Sequence, residues 1–128
     1  MNYITMNKKI AFLGPVGTNS EEACILYQND AQHIPFTSIQ NAISAVESGK
    51  VNECIVPIEN SIEGIVTTTI DLLIHESNLK IYNELVLPIS HHLITHHETK
   101  LENIDTIYSH PQALAQCRIF LSNNYPNA

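Results

Sequence analysis

The chain has 128 residues, 44% apolar and 15% charged, so it forms a core and is not disordered. Six Lys and Arg against thirteen Asp and Glu give a net charge of -7, with Arg118 the sole arginine. That excludes the basic footprint needed by nucleic acid or an anionic membrane, and no apolar run approaches the ~20 residues of a spanning helix. Met1 to Lys9 is polar, with no signal-peptide core behind it. Cys24, Cys54 and Cys117 are odd in number and widely spaced. They read as reduced, buried small hydrophobes, and the expected location is cytoplasmic.

In chain order, residues 1–7 read as a loose tail. Lys8 to Leu13 is a short apolar run stopped by Gly14-Pro15, hence a buried strand. Thr18-Asn19-Ser20-Glu21 matches a capping box, with Thr18 as cap and Glu21 reaching back. The helix it opens runs to about Asp30, with Ala23, Leu26 and Tyr27 at helical spacing. His33 to Thr37 is a weak strand. Ser38 caps a second helix with stripe Ile39, Ala42, Ile43 and Val46, and Gly49 stops it. Glu53 to Pro57 is another short strand, and Ile58 to Ile65 a polar loop. A third helix is expected from about Val66 to Glu76, its stripe Val66, Ile70, Leu73 and Ile74. Thr67-Thr68-Thr69 is poor in helix propensity and points to hydroxyls used at a helix start.

Leu79 to Thr95 is extended, with Pro88 ruling out an unbroken central strand. Ile104 to Tyr108 reads as a strand, and Ser109-His110-Pro111-Gln112 as a second capping box. The last helix carries Leu114, Cys117 and Leu121 on one side. Strands alternating with helices give an α/β class.

Three loops share one pattern: a short strand ends and small polar residues follow. They are Gly14 to Thr18, Pro57 to Ser61, and Ser109 to Gln112. Ligands of open α/β sheets bind outside the carboxyl ends of the strands. Two of the loops open a helix, where free N–H groups and the dipole favour an anion. With so few basic residues, a carboxylate held by helix ends and neutral donors is the natural ligand. Gly14-Pro15-Val16-Gly17 is neither a dinucleotide fingerprint nor a P-loop. Ser109 and Gln116, seven apart, would share one helix face with Gln112 between them. His91, His92, His96 and His97 resemble a metal cluster, but neighbours on an extended segment point to opposite faces. No metal is expected. His110 is placed to touch ligand or to serve structure.

At these loops the sequence resembles prephenate dehydratase. The matching stretches are Ile10 to Ser20 (IAFLGPVGTNS), Val56 to Asp71 (VPIENSIEGIVTTTID) and Ser109 to Cys117 (SHPQALAQC), with Glu84 to Leu93 (ELVLPISHHL) fitting the family's crossover segment. The resemblance implies a two-lobed α/β fold of the type II periplasmic-binding-protein kind, with the active site in the cleft. Residues 8–80 would be the first lobe, 81–96 the crossover, and 97–128 the start of an incomplete second lobe. It implies decarboxylating dehydration of the dicarboxylate prephenate to phenylpyruvate, in phenylalanine biosynthesis, without a cofactor. Carried over by motif, Asn60, Ser109 and Gln116 would line the substrate pocket, with Thr18 and Thr69 as further candidates.

Two departures stand out. Asn19 replaces a residue that is commonly aromatic in the family. The family's catalytic threonine lies in a Thr-Arg-Phe motif, and this sequence has none. The resemblance therefore implies a chain cut short, without the motif or a regulatory ACT domain, and with little activity alone. An unfinished second lobe would leave Leu114, Cys117 and Leu121 uncovered, so a homo-oligomer is expected. The alternatives are arogenate dehydratase, which differs in an amino group for a keto group on its substrate, and an inactive module or fragment that binds a small carboxylate.

Overall fold

A computed structural model describes residues 8–62 and 64–128. The expected tail, residues 1–7, lies outside the described residues. The chain divides into two compact units, with the boundary between Leu87 and Pro88.

The first unit is α/β. Strand β1 (Lys9–Leu13) is central, flanked in parallel by β2 (Gln32–Phe36) and β3 (Glu53–Ile55), in the order β2-β1-β3. Ala11 pairs with Ile34 on one side and Cys54 on the other. Alternate residues of a strand point to opposite faces, so β1 feeds two cores. Ile10 and Phe12 pack with Cys24 of helix α1 (Asn19–Tyr27), joined by Tyr27, Ala31 and Ile55. Ala11 packs with Ala42 and Ala45 of helix α2 (Ile39–Glu47) and with Val51. Three small alanines at that contact bring α2 close to the sheet. Lys8 and Glu53 form an ion pair at 2.7 Å beside the first residues of β1 and β3. The Glu53 carboxylate holds the Lys8 ammonium above its ordinary pKa.

The expected face of α1 needs one correction. Ala23 and Cys24 are buried and Tyr27 half-buried, whereas Leu26 points outward at 61% exposure. At 100° per residue Leu26 lies 200° from Cys24, so both cannot face the sheet. Helix α2 follows expectation. Ser38 Oγ accepts from the Asn41 N–H, and the helix closes with Gly49 N–H to Val46 O and Lys50 N–H to Ala45 O, a Schellman motif.

Gly14 sits where β1 ends against β2. Its N–H donates to Phe36 O at 2.8 Å. A Cβ there would lie 3.0 Å from Pro35 Cβ and 3.3 Å from Phe36 O. Gly14→Ala should therefore separate the two strand ends and cost about 1–3 kcal/mol of stability, read as a lower denaturant midpoint. A midpoint equal to the parent's would show that the strand ends yield freely.

The polar loop after β3 contains structure that the sequence reading lacks. Glu59–Asn60 (β4) and Gly64–Ile65 (β5) pair antiparallel. Helix α3 (Thr67–Asp71) then passes into a π-helical turn, Leu72–Glu76. That widened turn breaks the 3.6-residue period. The buried residues are consequently Thr69 and Leu72, and Ile74 of the expected stripe is 67% exposed.

The second unit holds a short 3₁₀ turn (Leu101–Asn103) and helix α4 (Pro111–Asn124). The expected strand at Ile104 to Tyr108 is absent. A strand exists only through a paired neighbour, and no described segment pairs with this one. Leu114, Cys117 and Leu121 of α4 are half-buried, whereas Ile119 and Phe120 are exposed at 68% and 55%. Tyr125 and Pro126, just past the helix, line one groove with Leu114 and Leu121. The uncovered apolar side chains of α4 are thus not the expected stripe. Among the described residues no helix is long and apolar enough to cross a membrane.

Candidate functional site

The sheet order decides where the first unit presents its loops. From β1 the chain crosses by α1 to β2, then by α2 on the opposite face to β3. Strand β1 lies between its two parallel neighbours, and the carboxyl ends of such strands are where open α/β sheets take ligands. The loop after β1 carries Thr18, and the segment after β3 carries Asn60.

Thr18 is the N-cap of α1, but its side chain does not cap. Its hydroxyl donates backward to Leu13 O at 3.3 Å. Glu21 also reaches further than a capping box requires: its Oε2 accepts from the Gly17 N–H at 2.6 Å. Gly17 holds a φ of +85°, which a side chain would strain. Glu21 and Glu22 bond through their N–H groups to Thr18 O. The N–H groups of Asn19 and Ser20 have no acceptor among the described residues. The loop is therefore ordered from within by Glu21 and keeps backbone donors at the helix start.

Asn60, half-buried in β4, accepts from the Ile62 N–H through Oδ1 at 2.9 Å. This Asx turn orders the hairpin tip. Asn followed by Ser is an ordinary turn signal, so the feature was open to sequence reading. Thr69 is fully buried, and its hydroxyl donates to Pro57 O at 2.6 Å. It was expected in the pocket lining, but a hydroxyl with no exposed surface presents nothing to a ligand. Its work is to pin the start of the Asn60 loop to α3. Thr69→Val keeps the shape, removes the donor and strands a carbonyl. It should cost about 1–3 kcal/mol, and Thr69→Ser should recover most of it. Equal urea midpoints for parent and Thr69→Val would refute this.

In the second unit the expected capping box is shifted by one residue. His110, not Ser109, is the N-cap, and its Nδ1 accepts from the Gln112 N–H at 3.3 Å. Pro111 takes the first helical position, where no N–H is needed. Ser109 lies outside the helix and is exposed, so the two-turn spacing to Gln116 does not apply. Gln116 is half-buried on α4, and its Oε1 lies 2.7 Å from His91 Nε2. Sequence reasoning missed that contact, because the two residues lie 25 positions apart with a mostly irregular chain between them.

The histidine-rich stretch brings donor atoms of His96, His97 and Glu98 within 4.8 Å of one another, all three open to solvent. His96 Nδ1 accepts from the Glu98 N–H at 3.4 Å. Nothing buried orients these side chains as a built metal centre requires. The thiols are removed from chemistry in another way. Burial pushes Cys24 up to about 12 and Cys54 up to about 11, so neither supplies a nucleophile near neutral pH.

The family model described as "Prephenate dehydratase" matches residues 10–128. The chain is 42% identical over 122 residues to prephenate dehydratase of Bacillus subtilis (strain 168), covering 93% of this chain and 43% of that protein. It is 39% identical over 125 residues to the bifunctional chorismate mutase/prephenate dehydratase of Escherichia coli (strain K12), covering 93% and 31%. A crystal structure of prephenate dehydratase from Arthrobacter aurescens in complex with L-Phe superposes with a TM-score of 0.78 at 35% identity, covering 94% and 40%. The chain spans less than half the length of these relatives.

Proposed function

Because the chain belongs to the prephenate dehydratase family, we propose that it is part of a carbon–oxygen lyase that converts prephenate to phenylpyruvate, in phenylalanine biosynthesis. The observation that carries this reading is the placing of Thr18 and Asn60 after neighbouring parallel strands, at the carboxyl ends. In our reading Asn60, Ser109, Gln116 and the loop at Thr18 bind the substrate, and Thr69 holds the Asn60 loop. In the same reading the chain follows a type II periplasmic-binding-protein plan: a first lobe, residues 8–80, a crossover, 81–96, and residues 97–128 in a second lobe. The protein is read as cytoplasmic and cofactor-free, with a small dicarboxylate as its partner and self-association into a homo-oligomer.

The chemistry suits these residues. The bond from the ring to its carboxylate breaks and releases CO₂. The electron pair enters the ring, hydroxide leaves the para carbon, and a proton turns it into water. Aromatisation supplies the driving force, so the protein must position the substrate and protonate the leaving group. A carboxylate about to be lost should not be held more tightly than the transition state. Backbone N–H groups and neutral amides meet that requirement better than a bidentate arginine.

The test is phenylpyruvate formation by the longer enzyme that contains this chain, supplied with prephenate and, separately, arogenate. Asn60→Ala and Ser109→Ala should each lower turnover of prephenate about tenfold or more. Unchanged turnover in both, or formation of phenylalanine from arogenate alone, would defeat the reading.

A further inference from the structure

We infer that His91 is a positioning residue that sets the orientation of the Gln116 carboxamide, so that Gln116 offers its NH₂ group to a substrate carboxylate. The inference rests on the reading of Gln116 as a substrate-binding residue. A glutamine amide has an accepting end and a donating end, and whatever bonds one end fixes the other. His91 Nε2 lies 2.7 Å from Gln116 Oε1, which makes that nitrogen the donor and the oxygen the acceptor. The two hydrogens of the Gln116 amide then point away from the imidazole. Neutral His91 with its proton on Nε2 donates, and so does the imidazolium. The orientation requires the Nε2 proton, since a ring protonated only on Nδ1 would accept from the Gln116 NH₂ group instead.

Two features set this contact apart from an incidental one. Both residues belong to the second unit, 25 positions apart, so it is neither a local turn nor a helix pair. His91 is exposed and Gln116 half-buried, so neither needs the other to satisfy a buried polar group. What the bond does achieve is to restrict a long side chain that otherwise rotates and flips. Of the histidines at 91, 92, 96 and 97, only His91 has a hydrogen bond from its side chain to one of the proposed substrate-binding residues, among those described.

The experiment uses the 128-residue chain, labelled with ¹⁵N, and phenylpyruvate as the probe. Binding is followed by the Gln116 side-chain amide signals and by the dissociation constant. Gln116→Leu and His91→Phe should each weaken binding about fivefold, and the double variant should be no weaker than Gln116→Leu alone. His91→Asn, which retains an N–H donor, should recover most of the loss. In His91→Phe the two amide protons of Gln116 should move toward the shifts of a free glutamine side chain, while the backbone spectrum away from the site stays unchanged. Binding by His91→Phe equal to the parent's, or losses that multiply in the double variant, would overturn this inference alone. Failure of the parent chain to bind, or a Gln116→Leu variant that binds like the parent, would overturn the functional reading beneath it.

Discussion

The 128-residue chain on its own should form phenylpyruvate from prephenate about 10²–10⁴-fold more slowly than a full-length relative. The sequence has no Thr-Arg-Phe, and its one arginine lies in Cys117-Arg118-Ile119 on the exposed side of α4. The carboxyl nearest Thr18, that of Glu21, is engaged by the Gly17 N–H. In the proposed site the chain would contribute binding groups: helix-start N–H groups, an ordered Asn60 loop and the Gln116 amide. Weak affinity with little turnover is the expected combination. An assay of phenylpyruvate absorbance at matched protein concentration decides it, and a longer chain carrying Thr-Arg-Phe should restore the rate. Rapid turnover by the short chain would identify another acid. His110 would be the first candidate, because its Nδ1 is engaged by the Gln112 N–H and its proton therefore sits on Nε2, at the open end of the ring.

What the sequence revealed and what it concealed divide along a physical line. Strands β1, β2 and β3 and helices α1 and α2 are each specified locally, by an apolar run, a cap and a stop. The helix at Thr18 starts where the capping pattern places it, and Gly49 ends α2 by a backbone geometry that glycine favours. Features that depend on distant partners were not legible. Ile104 to Tyr108 has the composition of a strand and no strand beside it. The Thr69 hydroxyl reads as a donor for ligand and instead bonds Pro57, twelve residues upstream. The shift of the second cap from Ser109 to His110 shows the limit of motif reading. A histidine nitrogen serves as acceptor as well as a serine hydroxyl, and Pro111 fixes which residue stands first. The family membership was legible because it rests on the loops, whose residues are chosen for chemistry more than for packing.

Raising the pH from 8 to 10 should destabilise the chain by about 2–3 kcal/mol, mostly through Cys24 and Cys54. Both thiols ordinarily titrate near 9. In the folded chain burial is the main cause that lifts Cys24 to about 12, with Glu21 and Cys54 adding to it. Burial likewise lifts Cys54 to about 11, with Glu53 adding to it. The folded state therefore keeps both protons when the unfolded state has begun to release them. The stabilisation is complete below pH 9, where both states are protonated. It falls as pH rises above 9, and the loss levels off for Cys54 near 11 and for Cys24 near 12. One unit above 9, each group contributes about 1.4 kcal/mol of loss, and the two together give the expected change. Urea midpoints of the reduced chain at pH 8, 9 and 10 test it. Cys24→Ala should lower stability at pH 8, because a fully buried side chain shrinks, yet it should halve the slope between pH 9 and 10. Cys54→Ala should remove most of the remainder. A parent midpoint that stays level to pH 10 would mean that both thiolates are tolerated, Cys24 of α1 against the sheet and Cys54 of β3 against the α2 side.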